Sequence, residues 1–227
     1  MVYLWLLIFT LLGPLSHSWD KRVNYASKWW ALFPGILITG TYFLIWDHFF
    51  TKWGVWGFNS RYLLGITIGV MPLEEYLFFL IVPFSCVFLY EVINYYLPKD
   101  PLRPYARIIS FFLLIVFTST GLFFWDRIYT AVAMLGASAL LALHVLWPRP
   151  YLGRFYLGYL VSLIPFFPVN GILTGSFLEE PVVWYNNNQN LGVRMGTIPI
   201  EDSVYLLLLL LSIITIYEEL LKRRSLN

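Results

Sequence analysis

Seven apolar runs constrain the fold of this chain more than any other feature of its sequence. A membrane-spanning helix needs about 20 mostly apolar residues, within a range of roughly 17–25. The runs cover residues 2–17, 30–50, 73–97, 107–125, 128–147, 155–173 and 200–221, and the first is the shortest. We therefore expect an all-α polytopic membrane protein with seven transmembrane helices.

Composition agrees with this expectation and narrows the chemistry. Of the 227 residues, 59% are hydrophobic and 12% are charged, whereas about 25% of residues are charged in soluble proteins. The net charge of +2 gives no reason to expect a nucleic-acid partner. The single cysteine, Cys86, excludes an internal disulfide, and the three histidines are too scattered to suggest a metal site. No dinucleotide fingerprint is present, and we expect neither a metal nor a cofactor.

The charges of the loops predict an orientation. Of the 15 Lys and Arg residues, all but four lie in the tail and in the loops after the first, third and fifth runs. The exceptions are Lys52, Arg61, Arg127 and Arg194. The positive-inside rule then predicts a multi-pass protein of the cell (cytoplasmic) membrane, with its N-terminus outside and its C-terminus in the cytoplasm.

Two short acidic motifs open the third and seventh runs. Each has a proline, one spacer and two adjacent acids: Pro72-Leu73-Glu74-Glu75 and Pro199-Ile200-Glu201-Asp202. Proline is favoured in the first turn of a helix, so each motif should begin a membrane helix. Acids in a membrane are costly and suggest function. The alternative is that they only cap the helix at the water interface, where the helix dipole favours anions.

The motifs belong to an internal repeat. A shift of 127 positions superimposes Pro72 on Pro199 and Glu74 on Glu201, and it superimposes helices 1 to 3 on helices 5 to 7. Helix 4 is then an inverter, so the two halves form parallel repeats related by an axis along the membrane normal. We expect repeats at 1–97 and 127–227, linked by 98–126 in a 3+1+3 arrangement. The two acid pairs should face each other at one depth.

Other polar and aromatic side chains are expected at the same side of the membrane. Some lie in the loops before the motifs, others at the ends of helices 2 and 4, and others just after the motifs. The candidate substrate-binding residues are Asn59, Asn186, Tyr185, Trp46, Asp47, Trp125, Asp126, Phe78 and Tyr205. Glu91 and Glu218 lie about 25 Å along their helices from the motifs, at 1.5 Å per residue. We expect these two acids outside the site.

The residues alone leave two functions open. Adjacent buried carboxyls can hold one proton and one charge together, as an acid catalyst requires. Aromatic faces stabilise cations where water is excluded. This combination suits proton-initiated chemistry on an apolar olefin, and it equally suits a proton-coupled transporter of a small solute with 3+1+3 architecture. A sugar transporter of that kind is expected to carry a Pro-Gln dipeptide, which this sequence does not contain.

The two motifs resemble the P-x-E-(E/D) signature of the membrane-embedded, non-flavin lycopene cyclases. In that family each half carries one copy, and this chain resembles the fused form. Phe78-Phe79 after the first motif and the stretch 181–186 before the second are also similar. The resemblance covers nearly the whole chain.

The resemblance implies a lycopene β-cyclase, an intramolecular lyase or isomerase that needs no cofactor. Its substrate would be lycopene or a related acyclic carotenoid dissolved in the bilayer, and it would associate with other carotenoid enzymes. The implied catalytic residues are the four acids of the motifs. Glu74 or Glu201 would donate the proton, and Glu75 or Asp202 would remove one, giving β-rings in γ-carotene and β-carotene.

Overall fold

The computed structural model describes residues 1–226 and the side chains of 1–224. Within this part of the chain, seven α-helices carry the fold. They are α1 (Val2–Ser16), α2 (Trp29–Lys52), α3 (Leu73–Tyr96), α4 (Ala106–Phe123), α5 (Ile128–Leu146), α6 (Leu152–Leu173) and α7 (Ile200–Leu226). Six of the described helices are long and apolar enough to cross a membrane. The prediction of an all-α polytopic membrane protein is confirmed.

Helix α1 is the exception in length. Its 15 residues span about 22 Å at 1.5 Å per residue, less than the roughly 30 Å of a bilayer core. Helices α6 and α7 extend beyond the apolar runs that predicted them. A helix does not require apolar residues once it leaves the hydrocarbon region, so hydropathy underestimates its length.

Short strands repeat in the two loops that precede the acidic motifs. The first loop holds β1 (Trp56–Phe58), β2 (Thr67–Ile68) and β3 (Met71–Pro72), and the second holds β4 (Val183–Tyr185), β5 (Arg194–Met195) and β6 (Ile198–Pro199). In the hairpin β2–β3, Thr67 pairs with Pro72, and in β5–β6, Arg194 pairs with Pro199. These registers agree with the shift of 127 positions.

Strands β1 and β4 join the two halves. They pair antiparallel, and Gly57 lies opposite Trp184. These two residues are equivalent under the shift of 127, so the halves meet around a local two-fold axis. A Cβ atom at position 57 would collide with the indole of Trp184, and glycine is therefore required there. The pairing supports repeats at 1–97 and 127–227 joined by 98–126, which we propose as the domain organisation.

Helix α7 lies deep in the bundle. Apolar side chains cover all of its faces, as is typical of a buried helix, and Leu209, Leu211 and Ile213 are fully buried. Helix α2 approaches it closely because Gly35 has no side chain. A Cβ atom there would lie 3.1 Å from the carbonyl oxygen of Ile213. This contact sets the distance between the two repeats.

The ends of α3 and α7 opposite the motifs are joined by reciprocal hydrogen bonds. The Tyr90 hydroxyl donates to Glu218 at 2.5 Å, and the Tyr217 hydroxyl donates to Glu91 at 2.8 Å. Lys28 also forms an ion pair with Glu91. The pairs exchange under the shift of 127, so this clamp has the same two-fold relation as the β1–β4 pairing. Glu91 and Glu218 thus lie far from the motifs.

Candidate active site between the repeats

The first acid of each motif anchors the loop that precedes it. Glu74 and Glu201 have no exposed surface. The backbone N–H of Leu64 donates to Glu74 at 2.5 Å, and that of Leu191 donates to Glu201 at 2.7 Å. Glu201 also accepts a hydrogen bond from the Thr130 hydroxyl at 2.6 Å. Each glutamate therefore holds a loop segment ten residues before it in the sequence.

The second acid of each motif faces a cavity shared by both repeats. Glu75 and Asp202 both line this space, which has a volume of about 60 Å³. The Tyr3 hydroxyl donates to Glu75 at 2.7 Å, and the Tyr129 hydroxyl donates to Asp202 at 2.6 Å. These tyrosines come from the first turns of α1 and α5, which are equivalent helices. Under the shift of 127 Tyr3 falls on Thr130, one residue after Tyr129, so equivalent helices supply one phenol to each acid from adjacent positions.

The remaining partners of the two acids differ. Asp202 accepts hydrogen bonds from the Asn170 amide at 2.8 Å and from the Tyr185 hydroxyl at 3.0 Å. A third carboxyl, Asp47, also lines the cavity and is 1% exposed. The Trp56 indole N–H donates to Asp47. One half therefore offers two carboxyls, and the other offers one carboxylate with three donors.

Tyr185 keeps its proton in this setting. Burial raises the pKa of the Tyr185 phenol well above its ordinary value, because the ionised form would lose its solvation, and the nearby Asp202 raises it further. Tyr185 therefore remains a hydrogen-bond donor at neutral pH.

Aromatic rings form much of the cavity wall. Tyr205 lies with its ring centroid 4.9 Å from those of Phe43 and Trp46. The rings of Trp56 and Tyr129 are 5.0 Å apart, and those of Tyr129 and Tyr185 stack at 5.9 Å. Electron-rich faces of this kind stabilise a cation in a space that excludes water.

Comparison with known proteins assigns the family. A model of the lycopene cyclase family matches residues 1–93 and 126–220. The chain belongs to the lycopene cyclase family. Each matched segment contains one acidic motif and one of the tyrosines that bind it, while all of α4 falls between the segments. No curated protein and no solved structure matches the chain.

Family membership makes this protein a carotenoid cyclase of the membrane, with a carotenoid substrate. The acid-lined cavity is then the candidate active site. Most of the residues predicted for the site lie at or beside this cavity. Its lining includes Glu75, Asp202, Asp47, Tyr185, Phe78 and Tyr205. Trp46 stands behind Tyr205, and Glu74 and Glu201 are buried without lining the cavity.

Four predicted residues lie elsewhere. Trp125 is 75% exposed and Asp126 is also exposed, because α4 packs on the outside of α5 and its end faces away from the cavity. Asn59 is half-buried and donates to Glu180 at 2.7 Å. Asn186 accepts a hydrogen bond from the backbone N–H of Asn188 within its own loop. The structure does not bring these four side chains to the cavity.

Several cavity residues were missed by sequence reasoning. Tyr3, Trp56, Tyr129 and Asn170 all donate to a cavity carboxyl. A polar residue inside an apolar run, such as Asn170 between two prolines and a glycine, was a usable signal. Tyr3 and Tyr129 gave none, since tyrosine at a helix end is also typical of the membrane interface.

Proposed function

We propose that the protein is a lycopene β-cyclase that closes the acyclic ψ-ends of lycopene into β-rings, without net redox change and within the membrane. The observation that carries this proposal is the shared cavity, where carboxyls from both repeats meet aromatic walls. γ-Carotene and then β-carotene are the expected products. No observation favours the proton-coupled transporter.

Glu75 is proposed as the acid. Among the described residues it accepts one side-chain hydrogen bond, from Tyr3. Asp47 accepts two, from Trp56 and from the Thr51 hydroxyl at 3.5 Å, and Asp202 accepts three. All three carboxyls line the cavity. Three carboxyls in one apolar space cannot all be ionised at low cost. The least supported of them is therefore the natural carrier of the proton. Its proton goes to C2 of the terminal double bond and leaves a cation at C1.

Ring closure then needs no further reagent. The C5–C6 double bond attacks C1, so that the C1–C6 bond forms and the cation moves to C5. The rings of Tyr205, Trp56 and Tyr129 line the space in which this cation would be held. Loss of the C6 proton restores the C5–C6 double bond. One proton enters and one leaves, so the reaction balances.

Asp202 is proposed as the base that removes the C6 proton. Its three hydrogen-bond donors, Tyr129, Asn170 and Tyr185, favour the charged form of a carboxyl. Asp47, which also lines the cavity, would stabilise the cation. Glu74 and Glu201 are proposed as positioning residues, in place of the proton-donor role expected from the family resemblance, because neither lines the cavity.

The membrane orientation is part of the proposal. The cavity lies at the ends of α3 and α7 that begin with the motifs, whereas the charged tail of α7 lies at the opposite end. The positive-inside rule then puts the tail in the cytoplasm, the N-terminus outside and the cavity toward the outer leaflet of the cell membrane. An association with other carotenoid enzymes is proposed from the family alone.

Expression in a lycopene-accumulating bacterial host tests the function. We expect the wild type to replace lycopene with γ- or β-carotene in a pigment chromatogram. Glu75→Gln and Asp202→Asn should lower conversion by at least about 10²-fold, the usual contribution of general acid–base catalysis. Glu179→Gln is the matched control, since this glutamate lies on the surface. Unchanged lycopene with well-inserted wild type would contradict the proposal.

A further inference from the structure

A second cavity lies beside the candidate active site, between α1, α3 and α6. Its volume is about 340 Å³, and its walls are mainly apolar. It opens toward the lipid side of the bundle, where Phe9 on its rim is 67% exposed. We call it the lateral groove.

The lateral groove is elongated and ends at the acid-lined cavity. On α3 it runs from Phe78 to Leu89, a distance of about 16 Å at 1.5 Å per residue. Phe78, Phe166, Asn170 and Leu173 line both spaces. The cavity alone holds a few water molecules at most, so a ring-sized end group also needs space from the groove. The two spaces therefore form one continuous site.

Prolines explain why the helices leave this space open. Pro14 on α1 and Pro165 and Pro168 on α6 all line the groove. Proline inside a helix removes one backbone hydrogen bond and prevents straight, close packing. The carbonyl of Thr10, released by Pro14, accepts a hydrogen bond from the Ser85 hydroxyl at 3.1 Å. The groove thus gains space without exposing that carbonyl to an apolar ligand.

The equivalent space in the other half is filled. Under the shift of 127, Asn170 and Leu173 correspond to Phe43 and Trp46 on α2, which are both buried in the core. Ser162 of the groove corresponds to Gly35, where α2 packs directly onto the backbone of α7. The space beside α6 is therefore open to a long ligand, whereas the equivalent space beside α2 is filled.

We propose that the lateral groove binds the linear polyene chain of the acyclic carotenoid, whose end group lies in the acid cavity, and that the substrate enters from the lipid between α1 and α6. This inference rests on the proposed function for the identity of the ligand. Continuity with the carboxyls favours the substrate over a lipid acyl chain. The rings of Phe9, Phe78 and Phe166 offer faces against which a conjugated chain can pack.

Polyene binding is measured directly in the test. Lycopene is achiral, so its visible band shows circular dichroism only when a chiral site holds it. All binding variants are made in the Glu75→Gln protein, purified in detergent, because it should not convert lycopene. Leu6→Trp fills the groove, whereas Leu12→Trp places the same ring on the same helix at a position that is 54% exposed and lies outside the groove.

We expect Leu6→Trp to weaken lycopene binding by about tenfold or more, in the range by which steric changes alter apolar pockets. Leu12→Trp should bind like the background protein. A second pair guards against misfolding: Val169→Trp in the groove and Ile164→Trp, which is 71% exposed on the same helix. Unchanged binding by inserted Leu6→Trp or Val169→Trp would overturn the proposal.

Two further readouts separate this inference from the function. Pigment conversion by the wild type tests the cyclase activity alone. If lycopene stays unconverted but its binding depends on the groove, the proposed activity is contradicted and the proposed binding site is supported. If the wild type and both groove variants convert lycopene equally, the proposed activity is supported and the proposed binding site is contradicted. Phosphatidylcholine that stays bound to the purified Glu75→Gln protein in excess lycopene, with no dichroism, would identify an acyl chain as the occupant and overturn the polyene assignment.

Discussion

The two repeats share a scaffold but differ around the cavity. Their hairpins have the same register, and their first acids anchor the same loop segment. Their second acids have different partners: Tyr3 for Glu75, and three donors for Asp202. Backbone positions are thus preserved where the fold depends on them. The side chains differ around the two carboxyls that we propose as the acid and the base.

The largest effect should come from the second acids. Glu75→Gln is expected to lower conversion by at least about 10²-fold, because the amide cannot donate the proton. Glu91→Gln is a control at an acid that is 2% exposed at the opposite end of the helices, and it should retain most of the activity. Product formed per inserted protein in the lycopene host measures both. Equal losses would mean that burial, and not position in the cavity, decides which acid matters.

Closing the junction between groove and cavity should have the next largest effect. Leu173→Trp introduces on α6 the residue that the first repeat has at the equivalent position, Trp46. We expect conversion to fall by about tenfold or more, since the ring would occupy space that the ligand needs. The reverse change, Trp46→Leu, should instead destabilise the fold by up to about 3–5 kcal/mol, as large core deletions do.

Thermal unfolding of the detergent-solubilised protein, followed together with conversion, distinguishes these two outcomes. Leu173→Trp with normal stability and normal conversion would show that the two sides of the bundle are functionally alike.

The first acids should be more tolerant than the second. Glu74→Gln retains an oxygen that can accept the Leu64 N–H, so we expect it to lower conversion less than Glu75→Gln. Glu74→Ala should lower the free energy of unfolding by about 1–3 kcal/mol, because a buried donor loses its partner. Conversion and thermal stability measured for all three variants test this. Complete loss of activity in a stable Glu74→Gln protein would restore this glutamate as the proton donor.

The smallest effect on catalysis is expected at the reciprocal tyrosine–glutamate clamp. Tyr90→Phe and Tyr217→Phe each remove one hydrogen bond to a carboxyl, which should lower the free energy of unfolding by about 1.5–3 kcal/mol. The loss should be larger for Tyr90→Phe, because Glu91 keeps its ion pair with Lys28 when Tyr217 is changed. Conversion should hardly change in either variant. Equal losses, measured by thermal unfolding, would show that Lys28 does not make the two ends differ in stability.

The fold was largely predictable because a membrane imposes simple rules. Apolar length located the helices, and the two motifs predicted the repeat. The limits of α6 and α7 were not predictable, since both helices continue past their apolar runs. The family resemblance, carried by the two motifs, is confirmed by the match to both halves of the chain.

The site was only partly predictable, for geometric reasons. Neighbours in a helix point about 100° apart, so the sequence could not tell whether Glu74 or Glu75 faces the cavity. Asp126 was grouped with Asp47 because both follow a tryptophan near the end of an apolar run. Depth in the membrane was the same for both, but α4 lies outside α5. The sequence did not reveal in which direction around the bundle axis each side chain faces. The roles of these residues stay predictions.

The contact at the two-fold axis also determines which halves can pair. The indole of Trp184 packs against Gly57, because this residue has no side chain. Two first repeats brought together would leave a hole where two glycines met, and two second repeats would bring two indoles into the same volume. Unlike halves therefore fit better at this contact. The contact disfavours self-pairing of either half, a specificity that a symmetric dimer of one repeat could not possess.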